Sequence, residues 1–255
     1  MPTPTATSCH AVPTAAPAKG SPKLDLVGSP NGGKTSVFNQ LTGLHAKTGN
    51  YPGVTVSRST GVCRIGKDEY GMEDLPGAYS LTPISPDEAV VAEALDGSLE
   101  NVQAPDAVLV VTDATALRRS LLLLAETLER KLPTAVIVTM TDELRRRGGS
   151  LDITALSQAL GVPVVSVIAN RGIGIGELRH LISEWQTWSR PPVSPPTAAD
   201  ELAGWVDSVL TSAGYQDPQP DTRTERIDKV LLHPVFGTII FFLVMFLFFQ
   251  ALFTW

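Results

Sequence analysis

Near the start of the chain stands Gly28-Ser29-Pro30-Asn31-Gly32-Gly33-Lys34-Thr35, which combines small residues, an ammonium group and a hydroxyl at the spacing GxxxxGK[ST]. The chemistry this suits is the holding of a polyphosphate. The glycines Gly28, Gly32 and Gly33 let successive backbone amides turn inward around a phosphate, with Asn31 among the binding residues, and a helix beginning beside the lysine adds the positive end of its dipole. Lys34 is then placed to reach the β and γ phosphates. Thr35 can set its hydroxyl on a magnesium ion, and Ser36 is counted among the nucleotide-binding residues.

Two further groups follow in the order that phosphate chemistry requires. Asp74-Leu75-Pro76-Gly77 ends an apolar run forty residues after Lys34. Its carboxylate can hold magnesium through water, and the Gly77 amide can meet the γ phosphate. Thr55 lies in the intervening loop, where a hydroxyl would complete the magnesium shell, and a loop held only by the γ phosphate would be released on hydrolysis. Lys34, Thr55 and Gly77 are thus the candidate catalytic groups, with magnesium on Thr35, Thr55 and Asp74. Thr139-Met140-Thr141-Asp142 stands where GTPases carry Asn-x-x-Asp. Asp142 can accept two hydrogen bonds from the guanine amide edge, a contact worth about 1.5–3 kcal/mol. Thr139 is too short to replace an asparagine amide. Ala169 and Asn170 can offer backbone amides to the guanine oxygen.

The elements that must position these groups alternate. Leu24 to Val27 reads as a strand entering the Gly-rich turn, and Val54 to Ile65 with Glu69 to Asp74 reads as a hairpin about Gly66-Lys67-Asp68. Ala107 to Thr112, Ala135 to Val138 and Val162 to Ile168 are continuous apolar runs of the kind buried on both faces of a parallel sheet. Helices are expected over Thr35 to Leu44, Pro86 to Leu95, Ala116 to Lys131, Ile153 to Leu160 and Ile175 to Trp188. The expectation is an α/β fold: a mixed, mostly parallel sheet with helices on both faces and ligands at the C-terminal ends of its strands. Arg190 to Thr197 is Pro-rich and marks the best domain boundary, followed by a helix over Ala199 to Ser212.

From Val235 to Trp255 there is no charged residue, and Gln250 is the one strongly polar side chain. About 20 residues at 1.5 Å each cover the roughly 30 Å hydrocarbon core of a bilayer. Arg223, Arg226 and Lys229 precede the span, which places its N-terminal end on the cytoplasmic side. A lone span at the end of the sequence is expected of one piece of a larger transporter, or of a shortened chain. The 255 residues carry a net charge of −6, which argues against a nucleic-acid partner. Cys9 and Cys63 form neither a disulfide framework nor a metal knuckle. Residues 1–22 are Pro, Ala and Thr rich, hold no apolar run of the length that export requires, and are expected to be disordered.

Taken together, GSPNGGKTSVFNQLTG (28–43), TGNYPGVTV (48–56), DLPGAYSLTPISPDE (74–88) and RIDKVLLHPVFG (226–237) resemble the N-terminal portion of the ferrous iron transport protein B family. The resemblance implies a phosphate-loop GTPase domain over 23–190, a linker and shortened helical region over 191–226, and the first transmembrane helix over 227–255. It implies GTP and GDP as ligands with magnesium, slow hydrolysis, and Leu44 to Thr55 as the first switch. It also implies a potassium ion near Asn31 and the Gly49 and Tyr51 carbonyls. The implied partners are guanine nucleotide, the lipid bilayer, the remainder of an iron transporter, small cytoplasmic accessory proteins and a second copy of the chain. The setting would be the bacterial inner membrane, with the GTPase domain in the cytoplasm. The chain departs from the family pattern at Ser29, Glu73 and Thr139, and in the shortness of its helical region.

Those departures leave alternatives open. A degenerate nucleotide-binding scaffold would bind without useful turnover, and a broad NTPase would accept ATP, since Asp142 alone favours guanine.

Overall fold

The computed structural model describes residues 18, 20–43, 46–51, 54–100, 102–188, 194–220, 229 and 231–254. The expected disorder of 1–22 falls mostly outside these residues, as do Leu44, part of the linker and Trp255.

Three strands rich in Val, Ile, Leu and Ala form the centre: β1 (Lys23–Gly28), β5 (Ala107–Asp113) and β6 (Thr134–Thr139). All but Asp113 of their residues are buried, as parallel strands covered on both faces should be. Beside them run β7 (Val164–Ser166) on one side, and β4 (Asp68–Asp74), β3 (Ser57–Ile65) and β2 (Lys47–Asn50) on the other. The seven-stranded sheet has the order β2-β3-β4-β1-β5-β6-β7. β2–β3 and β3–β4 pair antiparallel and the other neighbours pair parallel. The mixed sheet is therefore the one expected from the alternating pattern.

Helices cover both faces. α1 (Lys34–Thr42) and α6 (Ile175–Ser183) bury Val37, Phe38, Leu41, Leu178 and Ile182 against Leu24, Leu26 and Leu109. On the opposite face, α2 (Pro86–Asp96), α3 (Leu117–Leu128), α4 (Thr141–Arg146), α5 (Ile153–Leu160) and α7 (Ala199–Ser212) contribute to a second core around Val27, Val108 and Val110. Local sequence sets the ends. Ser85 caps the Glu88 amide with Pro86 in the first turn of α2, and the Asp152 carboxylate caps Thr154 and Ala155 in α5. Gly43, Gly97 and Gly161 end their helices in the left-handed region.

Several boundaries differ from the sequence expectation, for physical reasons. α1 stops at Thr42 because Gly43 caps it. The long helix expected from Ala116 becomes a 3₁₀ turn (Ala114–Ala116) and then α3. Asp113 accepts from the Thr115 amide and hydroxyl, which organises that turn. α6 ends at Ser183, and Trp185–Thr187 form a separate 3₁₀ turn. Residues 54–56 are not strand, and β2 is an edge strand that its polar composition, Lys-Thr-Gly-Asn, does not announce.

α7 is not a detached appendage. Val206, Val209, Leu210 and Ala213 are buried in the second core, and Tyr215 donates to the Ala114 carbonyl at 3.0 Å. Residues 216 and 219 continue by pairing with Ser150 and Arg147. α8 (Phe236–Thr254) is predominantly apolar and carries no charge, with its large apolar side chains exposed all round. Among the described residues it is the one helix long and apolar enough to cross a membrane.

Candidate functional site

The turn from β1 to α1 departs from ordinary backbone at two places. Asn31 has φ 63° and Gly33 has φ 82°, both in the left-handed region that few residues adopt. This reversal carries the chain round a concave turn before α1 starts at Lys34. The glycines that flank it are required by close approach. A Cβ on Gly28 would lie 2.6 Å from the Val111 carbonyl oxygen of β5, and one on Gly77 would lie 2.8 Å from Pro30 Cγ. Ser29, Pro30, Asn31, Gly33, Lys34, Thr35, Ser36 and Gly77 line a cleft of about 600 Å³, joined by Asp87 and Met140.

At the cleft's base the charged groups converge. Lys34 Nζ donates to Asp74 Oδ1 and to the Leu75 carbonyl, and Thr35 Oγ1 donates to Asp74 Oδ2 at 2.8 Å. The ladder between β1 and β4 extends past its last pair, with Leu75 N donating to Leu26 O and Ala78 N to Gly28 O. That continuation brings Asp74 to Gly77 alongside the loop. A hydroxyl and a carboxylate oxygen side by side are hard donors of the type magnesium takes, so the residues present fit that ion. Ala78 is 1% exposed and offers no side chain to orient a water.

The base-side residues gather at the ends of β6 and β7. Asp142 lies in the first turn of α4, which Met140 opens with φ 57°. Ala169 and Asn170 form a 3₁₀ turn after β7, closed by Ile168 N to Ile173 O at 3.0 Å. The Thr141 and Ser166 hydroxyls, 3.0 Å apart, tie the two loops together. Thr139 is buried and turned elsewhere. Its hydroxyl lies 2.7 Å from the Gly32 carbonyl and 3.1 Å from that of Thr112, so it braces the phosphate loop rather than facing a base.

None of the described residues between α1 and β3 lines the cleft. Thr55 is exposed and Gly49 sits in β2 opposite Arg58; neither lines the cavity. Tyr51 O accepts from Val54 N at 3.3 Å. Of the residues implied for potassium, Asn31 lines the cavity and Gly49 and Tyr51 do not, and no chemical step is routed through that ion.

A second cluster, not expected as a group from the sequence, lies behind the cleft. Lys23 Nζ meets Asp25 Oδ2 at 3.2 Å and Glu73 Oε2 at 2.9 Å, and Glu73 also takes Arg58 and the Tyr51 hydroxyl. Asp25 and Glu73 are both fully buried, and they are register partners on β1 and β4. Burial, reinforced by Glu73 and opposed by Lys23, pushes the Asp25 carboxyl up to about 7. Its Oδ1 has no hydrogen-bond partner among the described residues. Burial also works to raise Glu73, but the Arg58 and Lys23 cations with the Tyr51 hydroxyl hold it below the usual carboxylate range. The sequence signal was present, since acids interrupt the apolar runs of Leu24 to Val27 and Tyr70 to Leu75. Asp87 and Met140 carried no such mark: an acid in a first helical turn reads as a capping preference.

A central parallel sheet, a left-handed loop opening a helix, and an aspartate and glycine set beside it define the class: a phosphate-loop GTPase fold. The comparisons narrow this further. The family model described as ferrous iron transport protein B matches residues 23–182, and the chain belongs to that family as its N-terminal G-domain portion. An Fe(2+) transporter FeoB from Leptospira biflexa is 31% identical over 301 residues, covering 90% of this chain and 43% of the relative. The chain thus spans less than half the length of that protein. Among solved structures, the G domain of the T. maritima FeoB iron transporter matches with a TM-score of 0.59 and 37% identity, covering 66% of this chain and 99% of that one. The cytosolic domain of the same transporter in GMPPNP form gives 0.66 at 26% identity, covering 77% and 100%. An S. thermophilus NFeoB mutant bound to GDP gives 0.61 at 32%, covering 83% and 78%.

The buried Asp25 carboxyl generates a pH prediction. Its value in the folded chain lies above the ordinary 3.8, so its contribution is fully present below about pH 4 and is lost as pH rises through about 7. Asp25→Asn is expected to remove that fall. Urea unfolding of both proteins across this range measures it; parallel stability curves would contradict the assignment.

Proposed function

We propose that the chain binds GTP and GDP with magnesium in this cleft, hydrolyses GTP slowly, and serves as the cytoplasmic module of a ferrous iron transporter in the bacterial inner membrane. The observation that carries this reading is the meeting of Lys34, Thr35 and Asp74 under a loop with left-handed turns at Asn31 and Gly33. The relatives described as GDP and GMPPNP forms support a guanine nucleotide as the ligand.

In this account the amides around Asn31 to Ser36 cradle the β phosphate, and the Lys34 ammonium exchanges Asp74 and the Leu75 carbonyl for phosphate oxygens. Thr35, Asp74 and Thr55 would hold magnesium, which would supply neutralisation of phosphate charge when bound. The Gly77 amide meets the γ phosphate as water attacks in line. Slow turnover follows from Ala78, since no side chain after Gly77 positions that water. Asp142 reads the guanine edge, with the Ala169 and Asn170 amides on its oxygen. Potassium stimulation rests on the family resemblance, with Asn31 and the Gly49 and Tyr51 carbonyls as the implied ligands.

α8 is assigned to the membrane, with its Phe236 end toward the cytoplasm, and iron conduction is assigned to the remainder of the transporter. A P. gingivalis relative described as a fusion of Fe(2+) transport protein A with FeoB supports a small accessory protein among the partners. Nucleotide state would then gate or power Fe(II) movement.

Lys34→Ala is expected to remove phosphate-dependent binding. Two charge-assisted hydrogen bonds to phosphate oxygens disappear with the ammonium, which should weaken GTP binding about a hundredfold, while the circular dichroism stays that of the parent. A calorimetric titration measures this, and equal affinities would refute the site.

A second reading, a broad NTPase, is favoured by one observation: the Thr139 hydroxyl is committed to the Gly32 and Thr112 carbonyls. Guanine selectivity then depends on Asp142 and is expected to be modest, about tenfold for a single charge-assisted pair. Inhibition of GTP turnover by ATP, in potassium and in sodium, measures it. Equal inhibition constants would select the broad NTPase, and absence of turnover in both salts would select a binding scaffold.

A further inference from the structure

The buried ionic cluster joins Tyr51 and β3 to the strand that ends in Asp74. Glu73 stands next to Asp74, the carboxylate of the cleft. Its Oε1 accepts from the Tyr51 hydroxyl at 2.7 Å and from Arg58 Nε at 2.8 Å, while Oε2 takes Arg58 Nη2 at 3.0 Å and Lys23 Nζ at 2.9 Å. Tyr51 is 1% exposed, and the Arg58 guanidinium lies over its ring at 5.6 Å. The Tyr51 amide donates to the Val56 carbonyl at 3.0 Å. Thr55 thus sits beside a pair of mutually bonded residues, one of them anchored by its hydroxyl to Glu73, and it is exposed to solvent outside the cleft.

A buried ion cluster of this kind is a poor device for stability alone. Well-packed apolar residues of similar volume often serve as well or better, and removing one partner is costly. What it does supply is direction: Arg58 binds Glu73 as a two-pronged fork, and the Tyr51 hydroxyl has a single fixed acceptor. The cluster also spans β1, β3, β4 and the residue that follows β2, so it couples the edge of the sheet to the strand that ends in Asp74.

We propose that Glu73 is a positioning residue which, through Tyr51 and Arg58, holds Thr55 away from the magnesium site, so that GTP-dependent entry of Thr55 requires breaking the Tyr51–Glu73 hydrogen bond. The proposal rests on the assignment of Thr55 as a magnesium ligand in the GTP state. It makes the chain's preference between GTP and GDP depend on a bond distant from both phosphates. The fixed carboxylate acts on the loop, not on the reacting atoms.

The test uses Tyr51→Phe, which keeps the ring in its pocket and leaves Glu73 paired with Arg58 and Lys23, so the fold is retained. Affinities for GDP and for a non-hydrolysable GTP analogue are measured with magnesium on the detergent-solubilised chain. Sodium buffer is used, so that the Tyr51 carbonyl's expected part in potassium binding does not enter. Loss of a hydrogen bond to a charged group should raise the ratio of analogue to GDP affinity about tenfold. Arg58→Lys, which keeps the charge but loses the fork, should move the ratio in the same direction by less. Adding Thr55→Ala to Tyr51→Phe should cancel the gain, because the gain passes through Thr55. A lowered melting temperature with an unchanged ratio would mean a packing role and overturns the proposal, as does a gain that survives Thr55→Ala. If the parent chain binds neither nucleotide, the nucleotide reading itself fails and this inference falls with it.

Discussion

A short loop can hold several negative charges only if its own amides point inward, and that demands backbone conformations most residues avoid. In this chain the demand is met at Asn31 and Gly33, and much of the surrounding structure keeps that turn in place. β5 comes so close to Gly28 that no side chain fits there, Pro30 presses on Gly77, and the Thr139 hydroxyl holds the Gly32 carbonyl. The sheet order puts β1 between β4 and β5, so the loop stands at the C-terminal ends of the central strands and Asp74 arrives beside it. The helix that follows starts at Lys34, which delivers ammonium and hydroxyl from adjacent positions.

Buried charge sets a second constraint. Lys34 and Asp74 are both largely buried and satisfy each other. Behind them Lys23 and Arg58 gather around Glu73, with the Asp25 carboxyl buried beside them. The two sets meet through the peptide between Glu73 and Asp74, whose side chains leave the strand on opposite faces. The chain retains these groups within a core of Val, Leu and Ala, so their geometry is fixed by packing as well as by charge.

Much of this is legible in the residues. The central strands announce themselves as unbroken Val, Ile and Leu runs, and GxxxxGK[ST] between strand and helix identifies the loop. β2 is not legible, because Lys-Thr-Gly-Asn has no apolar alternation and takes its strand form from pairing with β3. α4 is a short helix of 6 residues, too few to show a period. Thr139 reads as a failed base contact, but its position on buried β6 turns its hydroxyl to the loop. The placement of Thr55 outside the cleft depends on long-range bonds of Tyr51, which no local pattern encodes. The docking of α7 against α3 and α5 likewise comes from tertiary burial of Val206, Val209 and Leu210 in a segment that reads as an ordinary amphipathic helix.

On this reading the backbone amides of the loop are the binding surface for a polyphosphate. Hydrogen exchange of peptides covering residues 29–37, with and without GDP and magnesium, tests it most directly, because it reads those amides themselves. Marked slowing of exchange in this loop is expected on adding GDP and none on adding guanosine, which lacks phosphate. Equal exchange in all three conditions, with nucleotide bound by an independent measure, would contradict it.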